Sequence, residues 1–420
     1  MTAQPRPEST STSTSTSINA SANTAPFGFR EFVFLVASLM ALGAIGVDTM
    51  LPALPAIGAQ LHVATENERQ FIISVYLIGL GAGQLLHGPL ADRYGRRPVM
   101  MAALVAYGIA NAIAAFSASF PLLLAVRLLG GFSVAATRVV TIAIVRDCYS
   151  GRPMARVMSL STIVFMIAPV LAPTLGQGIL FFGSWRLIFG VIAVLTAIVI
   201  FWFGTRMPET LAGELRPFSV GRLLQGYRTT VTNRWSLGYG LAATALQGAL
   251  FGYITSVQQI VTSVFHAGKE LNLVFAGTAG MMAAANLLNS RVVMRLGSRF
   301  LSHSALVTMI AIAAINLLIR SLGGETLIVF VVLQAFTMGC FGLAISNFGA
   351  MAMQDMGEIA GTASSVQGFC SVTLGALIGT FIGQSFAGTT VPLHMGFLCC
   401  GLIALVIVAV TERGRMFRPH

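Results

Sequence analysis

Asp48 is the residue best placed to do chemistry in this chain, in the run Gly46-Val47-Asp48-Thr49-Met50-Leu51-Pro52-Ala53-Leu54-Pro55. It lies inside the first long apolar segment, residues 32–61, and is the one carboxylate read at membrane depth. An ionised acid there is costly, so it reads as functional by default. Two prolines sharpen the reading. Pro52 has no N–H to donate to the Asp48 carbonyl, and Pro55 none for Leu51. Irregular backbone at such depth is tolerated only against protein or a wet cavity, so Asp48 is expected to face the inside of a helix bundle. The competing reading is an acid fixed in a structural ion pair or at the outer interface. Arg127 begins another apolar run, and Arg138 follows eleven residues later, about 16 Å along a helix and on roughly the same side. Two guanidinium groups on one inner face could hold ionised Asp48 in turn, or leave one for a polar substrate. For Arg138 the plainer alternative is a side chain reaching to the inner membrane surface.

The elements that must position these residues follow from composition. Of 420 residues, 55% are hydrophobic and 9% charged, with a mean hydropathy of +0.82. A soluble domain carries about 25% charged residues, so this is a polytopic membrane protein. The formal charge is +11 and Lys269 is the only lysine. The arginines sit between apolar runs, where membrane topology explains them better than nucleic-acid binding. The five cysteines form no paired loop pattern, so no disulfide framework is implied.

Residues 1–26 are Ser/Thr repeats with Pro, Ala and Asn, read as a disordered tail and not a signal peptide. A membrane-crossing helix needs about 20 apolar residues. Spans are expected near 30–59, 69–90, 98–118, 121–145, 157–182 and 186–205, and after a polar linker, 207–234, near 235–263, 270–293, 301–320, 324–351, 360–387 and 391–411. The domains expected are two six-helix bundles, 27–206 and 235–412, with a short tail at 413–420. Fourteen arginines between Arg93 and Arg299 fall in even-numbered loops, whereas odd-numbered loops or their edges hold Arg69, Arg186, Lys269 and Arg320. The positive-inside rule then puts the even loops and both termini in the cytoplasm. The loop with Asp355 and Glu358 breaks the pattern, having no base. The halves echo each other: Arg93-Tyr94-Gly95-Arg96-Arg97 follows span 2, and Arg295-Leu296-Gly297-Ser298-Arg299 follows span 8, as a duplicated unit predicts.

The loop Gly88-Pro89-Leu90-Ala91-Asp92-Arg93-Tyr94-Gly95-Arg96-Arg97-Pro98 is the most specific pattern. Gly95 permits a tight turn and Pro98 can open the next helix. An insertion signal with a solvated turn is the alternative reading. This loop resembles the signature loop of the major facilitator superfamily. Arg127-Leu128-Leu129-Gly130-Gly131 through Ala135, and Ala168-Pro169-Val170-Leu171-Ala172-Pro173-Thr174-Leu175-Gly176, resemble that superfamily's drug:proton antiporters. The Asp48–Pro55 run, Gly83-Gln84-Leu85-Leu86-His87-Gly88-Pro89, Arg146-Asp147 and Gly361-Thr362-Ala363-Ser364-Ser365 narrow the resemblance to the bicyclomycin/chloramphenicol-resistance (Bcr/CflA) branch. There are departures. Gly130 stands where that family's span 4 motif has Gln. Leu39-Met40-Ala41 stands where some relatives carry a second acid, and Met294 stands at the place of Asp92 in the second loop.

The resemblance implies an all-α membrane protein of twelve transmembrane helices in two six-helix bundles. It implies a proton-coupled exporter of small amphipathic compounds, not an enzyme, in the bacterial inner membrane. Asp48 and Arg127 would couple protons. Gly88, Asp92, Arg93, Gly95, Arg96, Arg97 and Asp147 would form a conformational latch, with Asp92 meeting span 11 near Gly361, Arg96 or Arg93 pairing with Asp147, and the arginines facing Asp355 and Glu358. Pro169, Ala172, Pro173 and Gly176 would let span 5 bend and pack. Tyr76, Gln84, Arg138, Gln247, Tyr253, Asn286, Asn347 and Gln367 are candidates for the substrate cavity by position, with interhelical hydrogen bonding as the alternative role. Ala168, Ala172 and Gly176, Gly79 with Gly83, and Ser364 with Gly368 are read as close-packing stripes. No cofactor, metal or nucleic acid is called for, the partners being substrate, protons and lipid, and a monomer suffices. A proton-coupled transporter of a metabolite such as a sugar or nucleoside remains the alternative, and a non-transporting receptor a more distant one.

Overall fold

The first helix, α1 (Phe29–Asp48), ends at the acid itself. A one-turn 3-10 segment, Leu51–Ala53, follows, and α2 (Leu54–Gln60) completes the span. This is the break that Pro52 and Pro55 require, since neither can donate to a preceding turn. The computed structural model of the chain describes residues 26–211 and 220–417, without the side chains of residues 155, 162–170, 220, 222, 223 and 358. The tail expected at 1–26 (save Pro26), part of the linker and the last residues of the C-terminal tail therefore lie outside the described residues. So do the side chains of Ala168, Pro169, Arg216, Arg222 and Glu358.

The first half continues with α3 (Phe71–Tyr94), α4 (Arg96–Ala115), α5 (Phe120–Cys148), α6 (Gly151–Phe182) and α7 (Arg186–Arg206). A linker helix, α8 (Val220–Thr232), was not foreseen in the polar stretch between the halves. The second half holds α9 (Arg234–Gln259), α10 (Leu271–Leu296), α11 (Ser298–Ser321), α12 (Leu327–Met353), α13 (Ala360–Phe369), α14 (Gly375–Gln384) and α15 (Val391–Thr411). A π-helical turn, Cys370–Leu374, joins α13 to α14 within one span. Among the described residues there is no strand, and eleven helical stretches are long and apolar enough to cross a membrane. The remaining span expected, near 157–182, is α6, a helix of 32 residues. The spans follow the sequence expectation closely because each is a local run of apolar residues.

Helices α1 and α3–α7 pack chiefly on one another, as do α9–α12, α14 and α15; the halves meet where α13, the π turn and α14 lie against α3, and α10 against α6. Close approach within the first half depends on glycine. A Cβ on Gly79 would lie 2.1 Å from the Leu128 carbonyl oxygen, and one on Gly83 2.3 Å from that of Phe132. From the other side, a Cβ on Gly131 would lie 2.0 Å from the Tyr76 carbonyl oxygen. Helices α3 and α5 thus touch backbone to backbone, which small residues alone allow. The two echoing loops also share a backbone device: Gly95 and Gly297 have φ of +98° and +79°, conformations that favour glycine.

Candidate functional site

Residues of both halves wall one cavity of about 2360 Å³. It reaches from Asp48, Leu77 and Gln84 down to Asp92, Arg96, Arg146 and Asp147 at the arginine-rich end, with Asp355 and the linker residues Gln225 and Tyr227 beside its mouth. Asp48 is buried at 5% exposure, and what remains exposed belongs to the cavity. Among the described residues it has no hydrogen-bond or ion-pair partner.

The expected pairing of Asp48 with Arg127 is not formed. Arg127 is buried and donates to backbone carbonyls instead, from Nη2 to Gly46 at 2.9 Å and from Nε to Ile72 at 3.3 Å. Its guanidinium lies 4.1 Å from the centre of the Tyr76 ring. The π face and two carbonyls together satisfy a cation that would otherwise demand a carboxylate. Gly46 is two residues before Asp48, so Arg127 stands at the level of the acid while bonded to its helix. Arg138 lies about three helical turns nearer the arginine-rich end, exposed to the cavity.

Three further expectations change. Tyr76 does not line the cavity; it is fully buried, and its hydroxyl donates to the Gly43 carbonyl at 3.2 Å. Asn347 does not line it either, since its amide donates to Asn289 Oδ1 and to the Leu343 carbonyl, both at 2.8 Å. Asp92 does not reach span 11 near Gly361. It pairs with Arg96, whose Nε also lies 3.1 Å from Asp147. Helix α13 meets α3 one turn earlier, where a Cβ on Gly88 would lie 3.4 Å from the Ser365 hydroxyl, while Asp92 is held by Arg96. Arg93 lies over the Tyr94 ring at 5.1 Å, and the Arg97 Nη2 donates to the Gly204 carbonyl at 2.7 Å. Among the described residues Asp355 makes no ion pair with these arginines.

The remaining candidates stand as follows. Gln84, Gln247, Tyr253, Asn286 and Gln367 line the cavity. Tyr253 shares a hydrogen bond of 2.9 Å with Thr278, and Gln367 donates to Ser236 at 2.8 Å. Gly88 lines the cavity near its mouth. Ala172 and Pro173 are buried, and a Cβ on Gly176 would lie 2.2 Å from the Thr49 carbonyl oxygen. The span 5 motif therefore presses its glycine against the break in span 1.

Two features escaped the sequence reading. Glu209, just after α7, accepts the backbone N–H groups of Arg96 and Arg97 at 2.9 and 3.1 Å. Burial pushes its carboxyl up, but these bonds and those from Leu211 and Thr210 outweigh that and hold it below the ordinary carboxylate range. It caps α4 and ties the start of the linker to the loop at Gly95. The other is a set of amides joining the halves at the end opposite the arginines. Asn67 Nδ2 donates to the Gln384 and Phe386 carbonyls at 3.0 and 3.1 Å. Gln384 returns a bond of 2.6 Å to the Asn67 carbonyl, and Gln259 donates to Asn67 Oδ1 at 3.2 Å. Gln70 donates to Gln259, and to the Gly383 carbonyl at 3.2 Å. None of these four amides lines the cavity, so they close the end beyond Asp48.

The Asn67 side chain makes three of these bonds. Each is worth about 1 kcal/mol net, so Asn67→Ala is expected to shift the balance toward opening at this end by roughly tenfold or more. Thiol labelling of a cysteine placed at Ser74, buried one turn from Gln70 on α3, in the Asn67→Ala background, compared with that cysteine alone, measures it. Equal labelling rates would show that the amides do not hold the closure.

The family model of the Major Facilitator Superfamily matches residues 34–380. The chain belongs to the major facilitator superfamily. This major facilitator chain is 29% identical over 390 residues to a bicyclomycin resistance protein homolog of Haemophilus influenzae, covering 89% of this chain and 94% of the relative. It is 30% identical over 361 residues to a chloramphenicol resistance protein of Pseudomonas aeruginosa, covering 83% of each. Its fold is similar to the crystal structure of a D-xylose–proton symporter, with a TM-score of 0.68 at 15% identity over 94% of this chain and 100% of the other. The relatives bear out the Bcr/CflA resemblance, and the superfamily makes this chain a transporter and not an enzyme.

Proposed function

We propose that this major facilitator chain exports small amphipathic compounds, antibiotics among them, in exchange for protons. One observation carries the reading: an acid without a partner among the described residues, Asp48, opens into a cavity walled by both halves and sealed at the far end. In this reading residues 27–206 and 235–412 are two bundles that rock about the cavity while the linker stays cytoplasmic. Both termini are cytoplasmic, the membrane is the bacterial inner membrane, and one chain suffices. The cavity then faces the cytoplasm, ready to take up substrate. Asp48 exchanges between a protonated form and a form that Arg127 can pair with once its backbone acceptors separate.

A proton moving down about 100 mV supplies about 2.3 kcal/mol, plus any pH gradient. That suffices for modest accumulation without nucleotide hydrolysis. A cavity larger than the usual 300–1,000 Å³ ligand site suits varied substrates held by a few polar groups. Inverted vesicles with a preset proton gradient test the proposal. Compounds of several classes should collapse the gradient when the protein is present; a panel in which none does so would overturn the reading.

The loop at Asp92 acts in this scheme as a latch. When the cytoplasmic side closes, Asp92 leaves Arg96 for the N-terminus of α13, where the helix dipole favours an anion. Gly88, Arg93, Gly95, Arg97 and Asp147 shape and neutralise that loop. Asp92→Asn is expected to slow transport several-fold while the protein remains folded in the membrane. Unchanged transport kinetics would remove the latch from the mechanism.

A further inference from the structure

The cavity carries two isolated charges of opposite sign at different levels. Asp48 lies deep, at the level where Arg127 bonds to Gly46. Arg138 lies eleven residues beyond Arg127 on α5, so about 16 Å nearer the mouth. It is exposed to the cavity and, among the described residues, has no hydrogen bond, ion pair or ring partner. A guanidinium inside a membrane span normally pairs or serves transport. The other charges lining the cavity, at Asp92, Arg96, Arg146, Asp147 and Asp355, stand toward its mouth. Across from Asp48 and Arg138 the second half offers neutral groups: Gln247, Tyr253, Asn286, and the aromatic rings of Phe251 and Phe341.

We propose that Asp48 and Arg138 form two ends of one binding site for zwitterions, with an ammonium group at Asp48, a carboxylate at Arg138, and a flat apolar body between them. The two side chains set the charge spacing at on the order of 10–15 Å. The proposal rests on the transport reading and sharpens it. An ammonium at Asp48 competes with the proton for one carboxylate, which is what exchange requires. A carboxylate at Arg138 supplies affinity that a proton cannot mimic, because it binds elsewhere. The neutral wall leaves the ring system of the substrate free to vary.

Binding to purified protein in detergent tests this without any proton gradient, so its failure is separate from failure of the transport reading. Three matched probes are a fluoroquinolone with a free carboxylate and a distal ammonium, its methyl ester, and its N-acetyl derivative. The zwitterion should bind wild-type protein about tenfold or more tightly than either capped form, since each end makes a charge-assisted contact. Arg138→Gln should bind the acid and the ester equally while still preferring the free ammonium. Asp48→Asn should bind the free and acetylated amines equally while still preferring the acid. Arg138→Lys keeps the charge and should keep a preference for the acid. Absence of zwitterion binding, equal binding of the three probes to wild type, or a preference for the acid that survives in Arg138→Gln would overturn the proposal.

Discussion

Asp48→Asn should abolish compound-driven proton movement, bringing it to the level of vesicles that lack the protein. The substitution keeps the size and polarity of the side chain, and no described neighbour bonds to the carboxylate. It removes the only property the proposed mechanism needs, the ability to take up and release a proton. The protein should fold normally, because an acid in a membrane span costs more to bury than an amide. The melting temperature of the purified variant and its retained binding of a neutral compound check that point. Wild-type rates of proton exchange in the variant would eliminate this acid as the coupling group.

Gly131→Val should strongly destabilise the first half. The added Cβ would stand 2.0 Å from the Tyr76 carbonyl oxygen and 3.0 Å from the Leu80 nitrogen. Both are backbone atoms that cannot rotate away, so α3 and α5 must part. Overpacking costs typically 1–3 kcal/mol and occasionally more, and a backbone clash lies at the upper end. Arg127, one turn earlier on α5, would also lose its grip on the Gly46 and Ile72 carbonyls. The adjacent position is the control. A Cβ on Gly130 would meet Ala110 and Tyr107 at 3.7–3.8 Å, an ordinary contact, so Gly130→Ala should melt near the wild type. Equal melting temperatures for Gly131→Val and Gly130→Ala would refute the account of this interface.

These contrasts separate what was legible in the sequence from what was not. The spans were legible because hydropathy is a property of each segment alone. The break in span 1 was legible because a proline's missing donor acts on its own helix. The echo between Gly95 and Gly297 was legible as a repeat. The Arg127 partners were not, because backbone carbonyls leave no trace in residue type. Tyr76 and Gln84 looked aligned at a spacing of eight, yet eight residues overshoot a common face by about 80°. That angle turns Tyr76 into the packed interior and Gln84 into the cavity. Asn67 and Gln384 are 317 residues apart, so only the docked halves bring them together. The linker helix was missed because its polar sequence carries no span-like signal.

The amides that close the far end have a bearing on bioenergetics. The bonds from Asn67, Gln70, Gln259 and Gln384 involve no ionisable group. Neither acidification of the surroundings nor rising salinity weakens such a barrier, because no member of it titrates or is screened. In a carrier coupled as proposed, an idle molecule would then not short-circuit the ion gradient on which the rest of the cell's uptake and synthesis depend.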